Sequence, residues 1–247
     1  MQEIDFKINK SKQKEIFFWD LRSGFYWFLE NFIPYRKLME EIIQKLEIKP
    51  NQYILDAGCG IGVLEKFMIK KNISGLKVEA VDFSKDMLKK AQNKLKNNQN
   101  PLIRFSQVNL DGSLPYKDNV FDAIVSNNVL FALSNLTFTI KEFYRVLKKG
   151  GKLVLSVPRP DFNGGKLLLN DFIQKKGWQK IKSLIVLPFL FLFILPFELI
   201  IFRKEKKGIY HRFTKEKLEN LLLDCGSTNI EISYSYADQN FLATANK

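Results

Sequence analysis

Nine residues, Ile54-Leu55-Asp56-Ala57-Gly58-Cys59-Gly60-Ile61-Gly62, set a short apolar run, an acid and three alternating glycines side by side. Tyr53, Ile54 and Leu55 make the apolar end of a buried strand, and Asp56 closes it. Gly58, Gly60 and Gly62 supply positions where φ can be positive or where a side chain would block a ligand. Val63 to Lys71 then reads as a helix, with Val63, Leu64, Phe67 and Met68 at helical spacing. Strand, glycine loop and helix place a ligand at the carboxyl end of a parallel strand, against a helix N-terminus. The plainer reading is a tight strand-to-helix turn with no ligand, but such a turn rarely needs three alternating glycines.

Two ligand classes compete for this loop. A dinucleotide fingerprint is G-x-G-x-x-G, which aims a helix N-terminus at a pyrophosphate. This chain has G-x-G-x-G, with Asp56 two residues before the first glycine. A carboxylate there repels a pyrophosphate and attracts an ammonium or sulfonium. The segment resembles motif I of the class I S-adenosylmethionine-dependent methyltransferases, in the form (V/I)LDxGCGxG. That resemblance implies S-adenosyl-L-methionine as cofactor, with Asp56, Ala57, Gly58, Gly60 and Gly62 around its methionine half. It implies the small-molecule branch of the family, which includes enzymes that methylate quinones and lipids.

The next segments follow the same family pattern. Lys77-Val78-Glu79-Ala80-Val81 reads as a second strand ending in Asp82, about 20 residues past the glycines, where an acid can bind ribose hydroxyls. Asp82-Phe83-Ser84-Lys85-Asp86-Met87-Leu88 resembles the family's D-x-S-x-x-M-L segment, which implies Phe83 against the adenine and Met87 nearby. Ile103 to Val108 makes a third strand. Asn109-Leu110-Asp111-Gly112-Ser113-Leu114-Pro115-Tyr116 resembles the GDxxxLPF loop with an extra residue. Asn109 replaces the usual Asp beside adenine, and its amide carbonyl can still accept a hydrogen bond from the adenine amino group. Asn119 to Ser126 resembles the fourth strand, SFDxVxx, with Asn127 and Asn128 at its end facing the cofactor and the acceptor. Tyr144 to Ser156 resembles the helix, turn and fifth strand, with Gly150 and Gly151 at the turn. The expected fold is α/β, a three-layer sandwich around a seven-stranded, mostly parallel Rossmann-like sheet with an antiparallel last strand.

The expected organisation is a helical cap at 1–48, a cofactor-binding core at 49–160, an apolar insertion at 161–211 and a C-terminal helix and strands at 212–247. Thr214 is placed to cap a helix from Lys215 to Asp224 that Gly226 stops. Ile230 to Tyr236 and Phe241 to Thr244 read as two closing strands. A hydrophobic content of 46% is ample for a core. Cys59 and Cys225 offer no disulfide framework, and with a single His they offer no metal cluster. The N-terminus lacks the basic start and short apolar run of a signal peptide. The formal charge of +13 comes from 39 Lys and Arg, of which 7 are Arg. A coding bias toward Lys, Asn and Ile explains it as well as an anionic membrane surface does. Specific nucleic-acid sites lean on Arg and stacked aromatics, so the Lys bias points away from them.

Leu184 to Phe202 reads LIVLPFLFLFILPFELIIF, 19 residues with one charge, Glu198, and two prolines, Pro188 and Pro196. Lysines flank it on both sides. Its length suits a membrane span, yet one crossing would put the closing strands on the wrong side of the bilayer from the sheet they complete. The prolines are expected to break the stretch into short pieces. Two readings stay open. One is a monotopic element dipping into a membrane, with lysines at the headgroups. The other is an apolar lid over the acceptor pocket. The N-terminal arm, with Phe17-Phe18-Trp19 and Phe25-Tyr26-Trp27-Phe28-Leu29, suits an aromatic cap over an apolar acceptor or a membrane interface.

Methyl transfer from a sulfonium is an in-line displacement, so the protein mostly holds the nucleophile close and excludes water. A general base is needed only if the acceptor must lose a proton. His211, the sole histidine, is the first candidate, with Tyr210 and Tyr26 behind it. The fourth strand ends Ser126-Asn127-Asn128-Val129, without the Asn/Asp-Pro-Pro-aromatic motif of many amino-directed DNA, RNA and protein methyltransferases. The leading expectation is a methyltransferase for a lipophilic small molecule (a quinone precursor, isoprenoid or lipid), cytoplasmic and peripheral at the inner face of the membrane. The alternatives are a soluble methyltransferase for a polar metabolite or RNA, and a non-catalytic cofactor-binding scaffold.

Overall fold

The computed structural model describes residues 10–24, 30–96 and 102–247, with the backbone alone at 10–12, 22, 182, 184–195 and 197. The aromatic run 25–29, with the candidate Tyr26, lies outside the described residues. Seven strands form one sheet: β1 (Tyr53–Ala57), β2 (Lys77–Asp82), β3 (Leu102–Gln107), β4 (Phe121–Asn127), β5 (Leu147–Pro158), β6 (Thr228–Ser235) and β7 (Asn240–Asn246). Their order is β3-β2-β1-β4-β5-β7-β6. β7 runs antiparallel to both β5 and β6, and the other pairings are parallel. The β6–β7 connection is a short hairpin in which Tyr236, Ala237 and Asp238 all take positive φ, and a tight hairpin can only join antiparallel strands.

Both faces of the sheet are covered, and strand periodicity divides the core in two. Ile54, Ala123, Val125 and Val154 point to one face, against Leu38, Met39 and Ile42 of α2 (Ile33–Leu46). Leu64 and Met68 of α3 (Val63–Lys70) join that cluster. Leu55, Ile124, Leu153 and Leu155 point to the other face. There they meet Ile140 and Phe143 of α5 (Leu136–Val146) and Leu218 and Leu222 of α8 (Lys215–Asp224). Most of these side chains are fully buried, as expected for a parallel sheet sandwiched between helices.

Local chemistry sets the helix starts. Ser84 Oγ accepts the Met87 amide at 3.0 Å to open α4 (Lys85–Leu95). Asn135 does the same for α5 through Phe138, and Thr214 for α8 through Lys217. Each bond satisfies an amide that the helix itself leaves unpaired. The Gly150-Gly151 pair forms a bulge inside β5 rather than a turn ahead of it. The register with β4 jumps from Phe121–Leu147 to Ala123–Lys152, and Gly150 sits at φ +71°.

Between β5 and α8 the chain makes α6 (Gly164–Gln174) and α7 (Gly177–Lys206). The expectation that Pro188 and Pro196 divide the apolar stretch is corrected here: α7 is one helix of 30 residues, about 45 Å long at 1.5 Å per residue. Each proline forfeits a single i to i−4 bond, and the remaining ladder carries the helix through. Among the described residues no helix is long and apolar enough to cross a membrane. The whole excursion closes on itself, because the Phe213 amide donates to the Pro158 carbonyl at 3.4 Å. At the other end of the chain, α1 (Lys10–Ser23) lies against α4, where Ser84 Oγ donates to Asp20.

Candidate active site

The carboxyl ends of β1, β2 and β4 open into a cavity of about 460 Å³. This is the switch point of the sheet, since the chain runs outward from β1 to β3 on one side and from β4 onward on the other. The glycine loop forms its floor. The Gly58 and Cys59 amides donate to the Val81 carbonyl at 2.8 and 2.9 Å, which ties the loop to β2. Gly58, Gly60 and Gly62 all take positive φ. A Cβ on Gly60 would meet nothing within 4 Å, so that stretch of backbone stands open to a ligand.

Asp82 ends β2 with both carboxylate oxygens already committed. Oδ2 accepts the Gly60 amide at 3.0 Å and Oδ1 accepts the Ser84 amide at 2.9 Å. Burial pushes its pKa up to about 6 against the pull of these amides. Asp56 is also buried, and its Oδ1 has no hydrogen-bond partner. Burial raises its pKa well above the usual carboxylate range, helped by the neighbouring Glu65 and by Asp82. Glu65, in the first turn of α3, is fully buried against Asp56, and burial lifts its pKa to about 7 against the pull of its hydrogen bonds to the Asp56 carboxyl and to backbone. Two buried acids side by side are costly unless they share a proton or meet a cation.

Most of the residues expected at the cofactor line this cavity: Asp56, Gly58, Gly60, Asp82, Phe83, Met87, Asn109, Leu110 and Asn127. Two do not. Ala57 is buried at the end of β1, where its carbonyl accepts the Ser126 hydroxyl at 2.8 Å. Gly62 serves helix packing, since a Cβ there would lie 3.0 Å from Ala91 Cβ of α4. Asn109 Oδ1 accepts the Asp111 amide at 3.1 Å, so one lone pair of the expected adenine acceptor is in use. Asn127 Oδ1 is buried without a partner, while its Nδ2 reaches the Tyr35 hydroxyl at 3.5 Å.

The catalytic candidates fare differently. Neither His211 nor Tyr210 lines the cavity. The His211 amide is held by the Phe131 carbonyl at 2.7 Å. Burial, with Lys217 nearby, lowers its ring pKa. Tyr210 is buried and donates its hydroxyl to Glu15 at 2.7 Å. Their neighbours Ile209 and Arg212 face the cavity instead. The segment 209–212 therefore reaches the site, in the other register.

Further residues complete the wall, some from the aromatic arm and the apolar stretch and others without a sequence signal. Glu15 and Trp19 come from α1, Tyr35 from α2, Phe162 and Arg212 from the ends of the excursion, and Glu198 and Ile201 from α7. Trp19 and Tyr210 each pack edge-on against Phe131. Glu15, Tyr35, Phe162 and Arg212 carry no local signal in the sequence.

Comparisons with known proteins bear on this geometry. Residues 55–155 match the methyltransferase-domain family. The chain is 31% identical over 165 residues to the uncharacterized methyltransferase YodH of Bacillus subtilis, covering 60% of this chain and 68% of that one. The chain belongs to the methyltransferase family. It is also 32% identical over 117 residues to phosphoethanolamine N-methyltransferase 1 of Zea mays, covering 47% of this chain and 23% of that protein. With the demethylmenaquinone methyltransferase of Symbiobacterium thermophilum it shares 28% over 120 residues, 49% and 48% of the two chains. The chain thus spans about half or less of these two relatives. A solved structure from Methanococcus maripaludis, a putative S-adenosyl-L-methionine-dependent methyltransferase, has the same fold. It superposes with a TM-score of 0.60 at 23% identity, over 100% of this chain and 97% of that one.

The cofactor is S-adenosylmethionine, and the cavity fits it. Asp56, which lines the cavity, and the open backbone at Gly60 suit the cationic methionine half. Asp82 at the end of β2 suits the ribose, and Phe83, Met87 and Leu110 offer apolar walls for a base. Among the described residues no cluster of His, Cys, Asp and Glu could hold a metal ion.

Proposed function

We propose that the protein is a methyltransferase that modifies a lipophilic small molecule, such as a quinone precursor, isoprenoid or lipid, at a membrane surface. The observation that carries this is the wall opposite the glycine loop. It is built from Trp19, Phe131, Phe162 and Ile201, and α7 supplies part of it. When bound, S-adenosylmethionine supplies a methyl group made electrophilic by the sulfonium. The chain's own task is to hold the donor through Asp56 and Asp82, seat an apolar acceptor under α1 and α7, and keep water out.

The outer surface supports the membrane part of this reading. On the last turns of α7, Glu198 and Ile201 face the cavity while Leu199 and Phe202 are each 51% exposed. Trp178, Ile181, Leu169 and Ile173 are exposed along α6 and the start of α7, and Phe17 and Leu21 on α1. Lys175, Lys176, Lys204, Lys206 and Lys207 flank the apolar stretch. A helix with its charge turned inward and its apolar side outward suits the boundary of an anionic bilayer.

The test combines two measurements. The protein should float with anionic liposomes, and with labelled S-adenosylmethionine and a membrane extract it should move label into the organic-soluble fraction. Label appearing only in water-soluble products would favour the polar acceptor instead. No label in either fraction, with cofactor still bound, would favour a scaffold.

A further inference from the structure

Among the described residues five carboxylates line the cavity, Glu15, Asp56, Asp82, Asp111 and Glu198, against one cation, Arg212. This is the reverse of the chain's overall charge of +13, so coding bias does not account for it. Four of the five have work. Asp82 holds the loop amides, and Asp56 stands at the cofactor's cationic end. Asp111 accepts the Ser134 amide at 2.7 Å, and Glu15 pairs with Lys204 at 2.7 Å and accepts the Tyr210 hydroxyl. Arg212 is committed to Glu205 at 3.1 Å and lies over the Phe162 ring.

Glu198 is left over. It is the one charge within the 19-residue apolar stretch. It is partly buried, faces the cavity, and makes no hydrogen bond or ion pair among the described residues. Ile201, one turn further along α7, lines the same cavity, and Lys204, a turn beyond, is tied to α1 through Glu15. These i, i+3 steps fix the inward face of the helix, so Glu198 points where it does because its neighbours on that face are anchored. We infer that Glu198 is a recognition residue for the acceptor, and that the cavity selects a molecule with an apolar body and a cationic, amine-type head. The head meets the Glu198 carboxylate, and aromatic rings such as Trp19 and Tyr35, which line the same cavity, add favourable faces for a cation. An anionic head would meet carboxylates and an already paired guanidinium.

This rests on the lipophilic reading above, and the experiment separates the two. Binding of decylamine, decanol and decanoate is measured by calorimetry on protein saturated with S-adenosylhomocysteine, for the wild type and for Glu198→Gln. The expected result is decylamine binding about tenfold more tightly than decanoate. The difference should collapse in Glu198→Gln, with S-adenosylhomocysteine affinity unchanged. Equal binding of amine and acid, or a preference that survives the substitution, would overturn the role of Glu198 and leave the lipophilic reading standing. Failure of all three to bind would overturn both.

Discussion

Gly58 and Val129 approach so closely that a Cβ on Gly58 would lie 3.1 Å from Val129 Cγ1, 3.2 Å from its Cβ, and closer still to Cγ2. Gly58 also holds φ at +93°, a region that costs an ordinary residue about 1–3 kcal/mol. Gly58→Ala should therefore lower the thermal midpoint and abolish S-adenosylhomocysteine binding. Adding Val129→Ala should recover part of the stability, because it relieves the contact but not the backbone strain. Thermal melts and calorimetric titration of the single and double variants check this. Full recovery in the double variant would show that strain at 58 is unimportant.

Asp82 accepts one amide on each oxygen, from Gly60 and Ser84. Asp82→Asn replaces one acceptor by an NH₂ group facing an N–H. A buried donor left unsatisfied costs about 1–3 kcal/mol. The loop should loosen, and S-adenosylhomocysteine affinity should fall by about 5- to 150-fold, measured by titration. Unchanged affinity would mean that the carboxylate does not organise the loop.

The Asp56–Glu65 neighbourhood gives a pH dependence with a definite sign. Glu65 is raised from an ordinary 4.5 to about 7, mainly by burial, and Asp56 moves the same way. The folded, ligand-free protein then holds protons that the unfolded chain has released between about pH 4.5 and 7. The stability this brings is fully present below pH 4.5 and is lost as pH rises through 7. Thermal melts across that window should show the wild type losing stability relative to Glu65→Gln as pH rises. A difference independent of pH would rule out the shift.

His211 lies behind the cavity wall, with its amide on Phe131 and its ring pKa lowered by burial. His211→Gln should retain methyl transfer to within a few-fold of wild type in the membrane-extract assay. Loss of turnover with cofactor affinity intact would restore the histidine as a base.

The parts legible in the sequence were those in which a backbone constraint or a strand end dictates residue type. The alternating glycines take positive φ at 58, 60 and 62, and Asp82 stands where an acid meets the loop amides. The alternation of strand and helix signals implies the sandwich, and the family resemblance supplies the antiparallel last strand. The rest depends on contacts across long sequence separations. Glu15, Tyr35, Glu198 and Arg212 meet at one cavity only after the sheet has formed, and no short window of sequence brings them together. Glu65 resembles any acid in the first turn of a helix until α3 is laid on the sheet. Proline cost weighed locally predicts a break, whereas α7 runs unbroken from Gly177 to Lys206.

The bond from Phe213 to Pro158 means that the excursion leaves and rejoins the sheet at a single point. The stretch from 159 to 212 is also held along its length: Asp171 accepts the Ile33 amide, Lys204 pairs with Glu15, and the His211 amide donates to Phe131. A replacement would have to supply these ties, while the register of β5 with β7 is set by the strands' own pairing. A scaffold wired this way can keep one methyl donor while the compartment facing it is rebuilt by swapping a single contiguous piece of chain.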